Sequence, residues 1–204
     1  MGRISNDKKK ELLIENFEVL REDPLKNDEG LCKIIQKMLK SIGDYNIGLE
    51  MLKWVIMNSK NPKKCIEFNE YVDDENADLN LAFSGFLLDP EVKKALAKLY
   101  KNAEDSRATP FGYQYIITTL FRHKKYDEAY NILSYYVEYF KLEKEWGGFE
   151  WGQVDLLKST INQMEQEFGD DIDEQMVEVL LSCIGKIKDK GFRSTLTTML
   201  IDYM

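Results

Sequence analysis

The chain has 204 residues, of which 44% are hydrophobic and 12% aromatic, enough apolar material for a substantial core and too much for wholesale disorder. Its formal charge of −8 is the wrong sign for a surface that tracks phosphates. Nucleic acid is therefore a poor default partner, and the acidic balance favours solubility and encounter with basic partners.

Only four prolines and few alternating Val/Thr runs argue against an all-β chain, whereas Leu, Lys, Glu, Ala and Met favour helix. At the N-terminus Lys8, Lys9 and Lys10 run straight into Glu11, so the apolar region of a signal peptide is missing. Met1-Gly2 is followed by Asn6 where myristoylation needs Ser or Thr. No apolar run approaches the length of a membrane span. The expectation is a soluble, cytoplasmic protein.

The first helix is expected over Asn6 to Glu22, capped by Asn6 or Ser5, with Leu12, Leu13, Phe17 and Leu20 on one stripe and Asp23-Pro24 ending it. A second runs from Asn27 to Ile42, capped by Asn27 or Asp28. It turns Leu31, Ile34, Ile35, Met38 and Leu39 inward, and Gly43 closes it. Asp44-Tyr45 opens a third helix carrying Leu49, Leu52, Val55 and Ile56 to about Asn58. Lys63 to Val72 reads as a short helix, followed by an acidic connection at 73–78. Leu79 to Leu88 reads as a buried helix, with strand left open because so short an apolar run has no decisive period. Asp89-Pro90-Glu91 is a cap, a first-position proline and a first-turn acid. Its helix carries Val92, Ala95, Leu96 and Leu99 and fades near 103–109.

Thr109-Pro110 repeats the cap-then-proline start and opens a central pair of helices. The first carries Tyr113, Ile116, Ile117, Leu120 and Phe121; the second carries Ala129, Ile132, Leu133, Tyr136 and Phe140 towards Glu143. EWGGFEWG, from Glu145 to Gly152, breaks the helical pattern. Val154 to Phe168 resumes it up to Gly169, and Ile172 to Ile187 and Phe192 to the C-terminus form a last pair. The fold expected is all-α, a stack of antiparallel helical hairpins, in one domain over 1–204 with possible division points at 73–78 or 103–109.

Lys125-Tyr126-Asp127-Glu128-Ala129 resembles the turn of a tetratricopeptide repeat, written G-D-Y-D-E-A. Tyr113, Ile116 and Leu120 fall at packing positions of that family's first helix, and Leu133 and Tyr136 at those of its second. Gly43-Asp44-Tyr45-Asn46-Ile47-Gly48 is a weaker copy, with Gly48 in the alanine place. Lys124 replaces the turn glycine, the final proline is missing after the central copy, and Tyr45 and Tyr126 lie roughly 81 residues apart, not a multiple of about 34. The resemblance covers about a third of the chain and implies an irregular array with a concave face that holds a peptide or helix.

Residues for chemistry are sparse. Asp74, Asn76 and Asp78 begin like a calcium loop, but Leu79 stands where the turn glycine belongs and Gly85 where the bidentate glutamate belongs, so a solvated acidic linker is the reading. Asp170, Asp171, Asp173 and Glu174 suit the start of a helix better than acid–base catalysis. The lone histidine, His123, has no nucleophile or orienting acid near it in sequence. Cys32, Cys65 and Cys183 are widely spaced, without a CxxC pair, and read as buried thiols. No GxSxG, Walker glycine loop, HExxH or GxGxxG occurs. The expectation is a non-catalytic protein with no cofactor and no metal site.

The binding candidates are the basic turn of Arg122, Lys124 and Lys125, the aromatics Trp146, Phe149 and Trp151 between glycines, and Tyr135 and Tyr139 on the helix before them. The tryptophan stretch is either a plug into the core or a binding hot spot. Tyr135, Tyr136 and Tyr139 cannot all face inward, so an exposed aromatic stripe is expected. The leading expectation is a protein-interaction module that binds a peptide or helix. An acidic inhibitor masking a basic partner is the alternative within binding, and an enzyme without a recognisable motif is the alternative outside it.

Overall fold

A computed structural model of the chain describes residues 4–102, 110–140 and 151–204, apart from the side chains of residues 101, 102 and 151. Of the described residues 76% are helical, and no strand occurs among them. Helix α1 is Asn6–Leu20, α2 is Asp28–Gln36 with a π-helical continuation at Lys37–Ile42, and α3 is Tyr45–Asn58. After two 3₁₀ turns, Lys64–Ile66 and Phe68–Glu70, come α4 (Ala77–Leu88) and α5 (Pro90–Asn102). The central pair is α6 (Tyr113–Arg122) and α7 (Tyr126–Tyr136). The last three are α8 (Trp151–Phe168), α9 (Glu174–Ile184) and α10 (Lys190–Met199).

The helices stack along the chain. Most pack on the helix after them, as in α2 on α3, α4 on α5, α6 on α7 and α8 on α9. Several also reach the helix after next, as in α3 on α5, α4 on α6, α6 on α8 and α7 on α9. One continuous apolar cluster runs from Phe17 to Leu200. Helix α6 sits deepest, because α4, α7 and α8 all pack on it and only Tyr115 and Arg122 escape full burial.

Polar contacts repeat at a nearly constant sequence distance through the first half. Lys10 and Asp44 are 34 residues apart, as are Gln36 and Glu70, while Lys40 and Asp73 are 33 apart and Lys53 and Asp89 are 36 apart. Further on the distance lengthens: Tyr126 bonds Asp173 across 47 residues, and Lys186 bonds Glu138 across 48.

Several helix starts share one construction. Asp44 caps α3 with Oδ1 on the Ile47 amide at 3.0 Å, while its Oδ2 receives the Lys10 ammonium from α1 at 2.6 Å. Asn76 caps α4 through the Leu79 amide at 3.0 Å and accepts the Tyr45 hydroxyl at 3.2 Å. Asp89 caps α5 through the amides of Glu91 and Val92 and holds Lys53 of α3 at 3.2 Å. Asp173 caps α9 through the Met176 amide at 2.9 Å and accepts the Tyr126 hydroxyl of α7 at 2.5 Å. An N-cap acceptor satisfies a helix-start N–H that has no partner inside the helix. Here the same side chain also ties that start to a helix earlier in the stack.

The departures from the sequence reading have local causes. Residues 63–72 form two 3₁₀ turns instead of one helix. The Lys63 and Lys64 amides donate to the Asp28 carboxylate at 3.0 and 2.5 Å, Gln36 donates to the Glu70 carbonyl, and Tyr71 donates to the Cys65 carbonyl. Groups that a continuous helix would pair internally are therefore paired outside. Asp28 serves this role, and neither it nor Asn27 caps α2. Helix α6 starts at Tyr113, not at Pro110; Thr109 lies outside the described residues. The Phe111 carbonyl accepts the Asn69 amide at 3.2 Å, and Gly112 follows at φ 102°. A Cβ at Gly112 would lie 2.6 Å from the Asn69 nitrogen, so only glycine allows this crossing. On α1, Leu12 is exposed and Ile14 joins Leu13, Phe17 and Leu20 against the core. Gly43 closes the second helix at φ 77°, as its position implied.

Two glycines inside helices make opposite predictions. A Cβ at Gly48 would fall 2.4 Å from Leu39 Cδ2, and Leu39 is fully buried. Gly48→Ala should therefore destabilise by about 1–3 kcal/mol through overpacking. A Cβ at Gly85 meets nothing, so Gly85→Ala should stabilise by about 0.5–1 kcal/mol; chemical denaturation of the two variants checks both signs.

The shared caps predict an acid limb. Asp44 is held below the usual carboxylate range first by the Lys10 hydrogen bond and then by the Ile47 amide. Asp89 is held low chiefly by the Val92 amide. The unfolded chain takes up these protons near pH 4 while the folded chain does not, so their stabilisation is complete above about pH 4 and is lost as pH falls through the depressed values. Asp44→Asn and Asp89→Asn should each flatten the fall of Tm between about pH 4 and pH 2.

Candidate functional site

Helix α7 links the basic turn to Tyr135, and its burial pattern decides which of its residues face outward. Ala129, Ile132, Leu133 and Tyr136 are buried, as their spacing implied. Tyr136 donates to the Leu87 carbonyl at 2.9 Å and packs with Tyr100, Tyr113 and Phe140 in an aromatic knot at the heart of the stack. Tyr100 and Tyr113 hydroxyls meet at 2.9 Å. Burial raises the pKa of all three tyrosines.

Tyr135, on the other side of α7, and Tyr139, in the turn that follows it, are half-buried, with ring centroids 4.9 Å apart. Tyr135 donates to the Lys93 carbonyl of α5 at 3.1 Å, and the Lys93 ammonium lies 4.2 Å from the centre of the same ring. An ammonium at that range is attracted by the ring face. The ring is thus fixed by its own hydroxyl, by Lys93 and by the edge of Tyr136, 5.1 Å away. Next to this pair, Glu138 receives the Lys186 ammonium at 3.1 Å. The platform is rigid, aromatic and partly wet. Of the other aromatics expected with it, Trp146 and Phe149 lie outside the described residues, and Trp151 begins α8 with its side chain undescribed.

The basic turn sits at the opposite end of α7, roughly 15 Å away along the helix at 1.5 Å per residue. Two of its charges already have partners: Arg122 pairs with Glu167 of α8, and Lys125 with Glu128 at 3.0 Å. Lys124, in the place where the resembled repeat has glycine, adopts φ 56°. This left-handed residue ends α6, with the Lys124 amide donating to Phe121 and the Lys125 amide to Leu120, each at 2.9 Å. The structure therefore does not join Arg122, Lys124 and Lys125 to the tyrosines in one site.

Tyr45 and Tyr126 pack beside their turns, with their hydroxyls bonded to Asn76 and Asp173. The acids at 73–78 hold no loop for calcium: Asn76 caps α4, and Asp73 pairs with Lys40 at 2.8 Å. Among the described residues no group of three His, Cys, Asp or Glu side chains is placed to hold a metal. No described helix is long and apolar enough to cross a membrane. A shallow cavity of about 420 Å³ opens between the starts of α1 and α3, lined by Asn6, Asp7, Lys10 and Ile42 to Asn46. The Lys10–Asp44 ion pair bridges its wall.

Sequence reasoning missed Lys93. It lies 42 residues from Tyr135, and nothing in its own neighbourhood marks it as more than a helical lysine. The chain matches no family model, no curated protein and no solved structure.

Tyr126 provides a titration test of the α7–α9 link. Its hydrogen bond to the Asp173 carboxylate, aided by burial, pushes its pKa up to about 12. The folded chain keeps this proton where the unfolded chain releases it near pH 10, so stability falls as pH rises from about 10 to 12. Tyr126→Phe should reduce that alkaline fall, measured as Tm against pH, and should remove one late-ionising phenol from the ultraviolet titration.

Proposed function

We propose that this chain is a non-catalytic protein-interaction module of the helical-repeat type, binding a peptide or helix of a partner protein on the face around Tyr135 and Tyr139. The observation that carries the reading is the half-exposed Tyr135–Tyr139 ring pair, with Tyr135 held by Lys93 of α5. Aromatic side chains whose rotamers are already fixed lose little entropy on binding, which is why such residues dominate interface energetics. Contact distances near 34 residues in the first half support a repeat-like stack, the architecture whose extended faces hold partner segments. Trp146 follows Tyr139 by seven residues, so the tryptophan-rich stretch adjoins this face along the chain.

The alternative is an acidic inhibitor that masks a basic partner, and the net charge of −8 favours it. Salt separates the two readings. Capture of partners from a native lysate, followed by titration with the purified partner, should show Tyr139→Ala weakening binding about 30-fold, equivalent to about 2 kcal/mol. That loss should be equal at low and high salt, with Tm within about a degree of wild type. Affinity that collapses with salt but ignores Tyr139→Ala would favour the inhibitor.

A further inference from the structure

Helix α5 is a basic element in an acidic chain. Its sequence, PEVKKALAKLYKN, holds four lysines and one acid, whereas over the whole chain Asp and Glu outnumber Lys and Arg by 36 to 28. Lys93 turns towards α7, where its ammonium lies 4.2 Å from the centre of the Tyr135 ring and its carbonyl accepts the Tyr135 hydroxyl. About two turns further along α5, Tyr100 stacks on Phe140 with ring centroids 4.6 Å apart. These two contacts set α5 beside the end of α7, with both segments running in the same direction. Lys94 and Lys98 on one side, and Tyr139 on the other, fall between them along the chain.

Lys94 and Lys98 stand one turn apart and are exposed, and among the described residues neither makes an ion pair or a side-chain hydrogen bond. The acids closest to them in the fold are held by other lysines. Glu91 lies 2.7 Å and Asp89 3.2 Å from the Lys53 ammonium of α3, and Glu138 lies 3.1 Å from that of Lys186. Two like charges one turn apart oppose a helix. Lys94, in the first half of α5, is also too far from the C-terminus to gain from the macrodipole. Helix stability therefore does not account for the pair. With the Tyr135 and Tyr139 rings, the two lysines make a basic, aromatic strip on a chain of net charge −8.

Resting on the interaction reading above and naming its partner, we propose that the segment which docks on the Tyr135–Tyr139 face is acidic. It is a stretch of a partner protein that lays an apolar or aromatic side chain on the Tyr139 ring and sets Asp or Glu carboxylates against Lys94 and Lys98. Charge complementarity selects this occupant. A basic segment would meet Lys93, Lys94 and Lys98 with Glu91 and Glu138 already engaged. A nucleic acid would carry its phosphates past the strip onto the acidic remainder of the chain, which opposes it. A short acidic segment needs only the local cations, and the Tyr135 ring beside them is already ordered by Lys93.

The test pans a phage-displayed library of random peptides against the full chain and measures the enriched peptides, made synthetically, by fluorescence anisotropy. Enriched sequences should carry an excess of Asp and Glu around an aromatic or aliphatic residue. Lys94→Gln combined with Lys98→Gln should weaken them about 10-fold at low salt and much less at high salt. Lys9→Gln combined with Lys26→Gln removes the same charge elsewhere and should leave affinity unchanged. All four lysines are exposed, so both double variants should keep the wild-type Tm. Peptides without acidic excess that still lose affinity on Tyr139→Ala would overturn the acidic partner and leave the interaction face standing. Peptides indifferent to Tyr139→Ala, or no enrichment at all, would sink the face and the acidic partner together. Acidic peptides weakened alike by both lysine pairs, or by neither, would overturn the role of Lys94 and Lys98. An oligothymidylate that binds more tightly than the peptides and is lost with those two lysines would assign them to nucleic acid instead.

Discussion

The shared helix cap is the interaction on which the stack depends. Asp44, Asn76, Asp89 and Asp173 each face two demands: the orphan amides at a helix start and a donor from an earlier helix. Lys10, Tyr45, Lys53 and Tyr126 supply those donors. A cap normally fixes where a helix begins along its own sequence. Here it also fixes where that beginning lies against the preceding hairpin, so local and tertiary register are set by the same atoms. Helix α6 needs another solution. Enclosed by α4, α7 and α8, it starts at Gly112 and is held inside by Thr119, which donates to the Tyr115 carbonyl at 2.7 Å and accepts from Asn80 at 2.9 Å.

This construction alters the meaning of the acidic composition. Read from the sequence, a charge of −8 suggested a surface waiting for a basic partner. In the fold, Asp28, Asp44, Asp73, Asp89 and Asp173 all have amide, ammonium or hydroxyl partners within the chain. Glu167 is likewise matched by Arg122. Part of the acidity therefore belongs to the architecture of helix starts. The aromatic face around Tyr135 owes nothing to it, which is why the interaction reading rests on rings and their fixed geometry.

Much of the fold was legible because its signals are short in range. Gly43, Asp89-Pro90 and Gly169 mark helix ends by backbone conformations that neighbouring residues cannot override, and the 3–4 spacing of Leu31, Ile34, Ile35, Met38 and Leu39 marks a buried face correctly. What failed depended on residues about 35 to 42 positions away. Asp28 reaches the amides of Lys63 and Lys64 and so replaces a short helix by two turns. Asn69 claims the carbonyl of Phe111 and moves the start of α6. Tyr135 and Tyr139 were legible as an outward pair from helical geometry, whereas Lys93 was not, since no local pattern encodes a partner in another hairpin.

Contacts that reach the helix after next have a further consequence for how the molecule comes apart. In a stack joined only through nearest neighbours, a boundary between folded and unfolded segments severs one interface, and unravelling can proceed unit by unit. Here a boundary drawn between α4 and α5 also cuts α3 from α5, α4 from α6 and α4 from α7. The interfacial tension of a partly unfolded chain is correspondingly high. A modular, almost one-dimensional arrangement of helices thus acquires the all-or-none character of a globule.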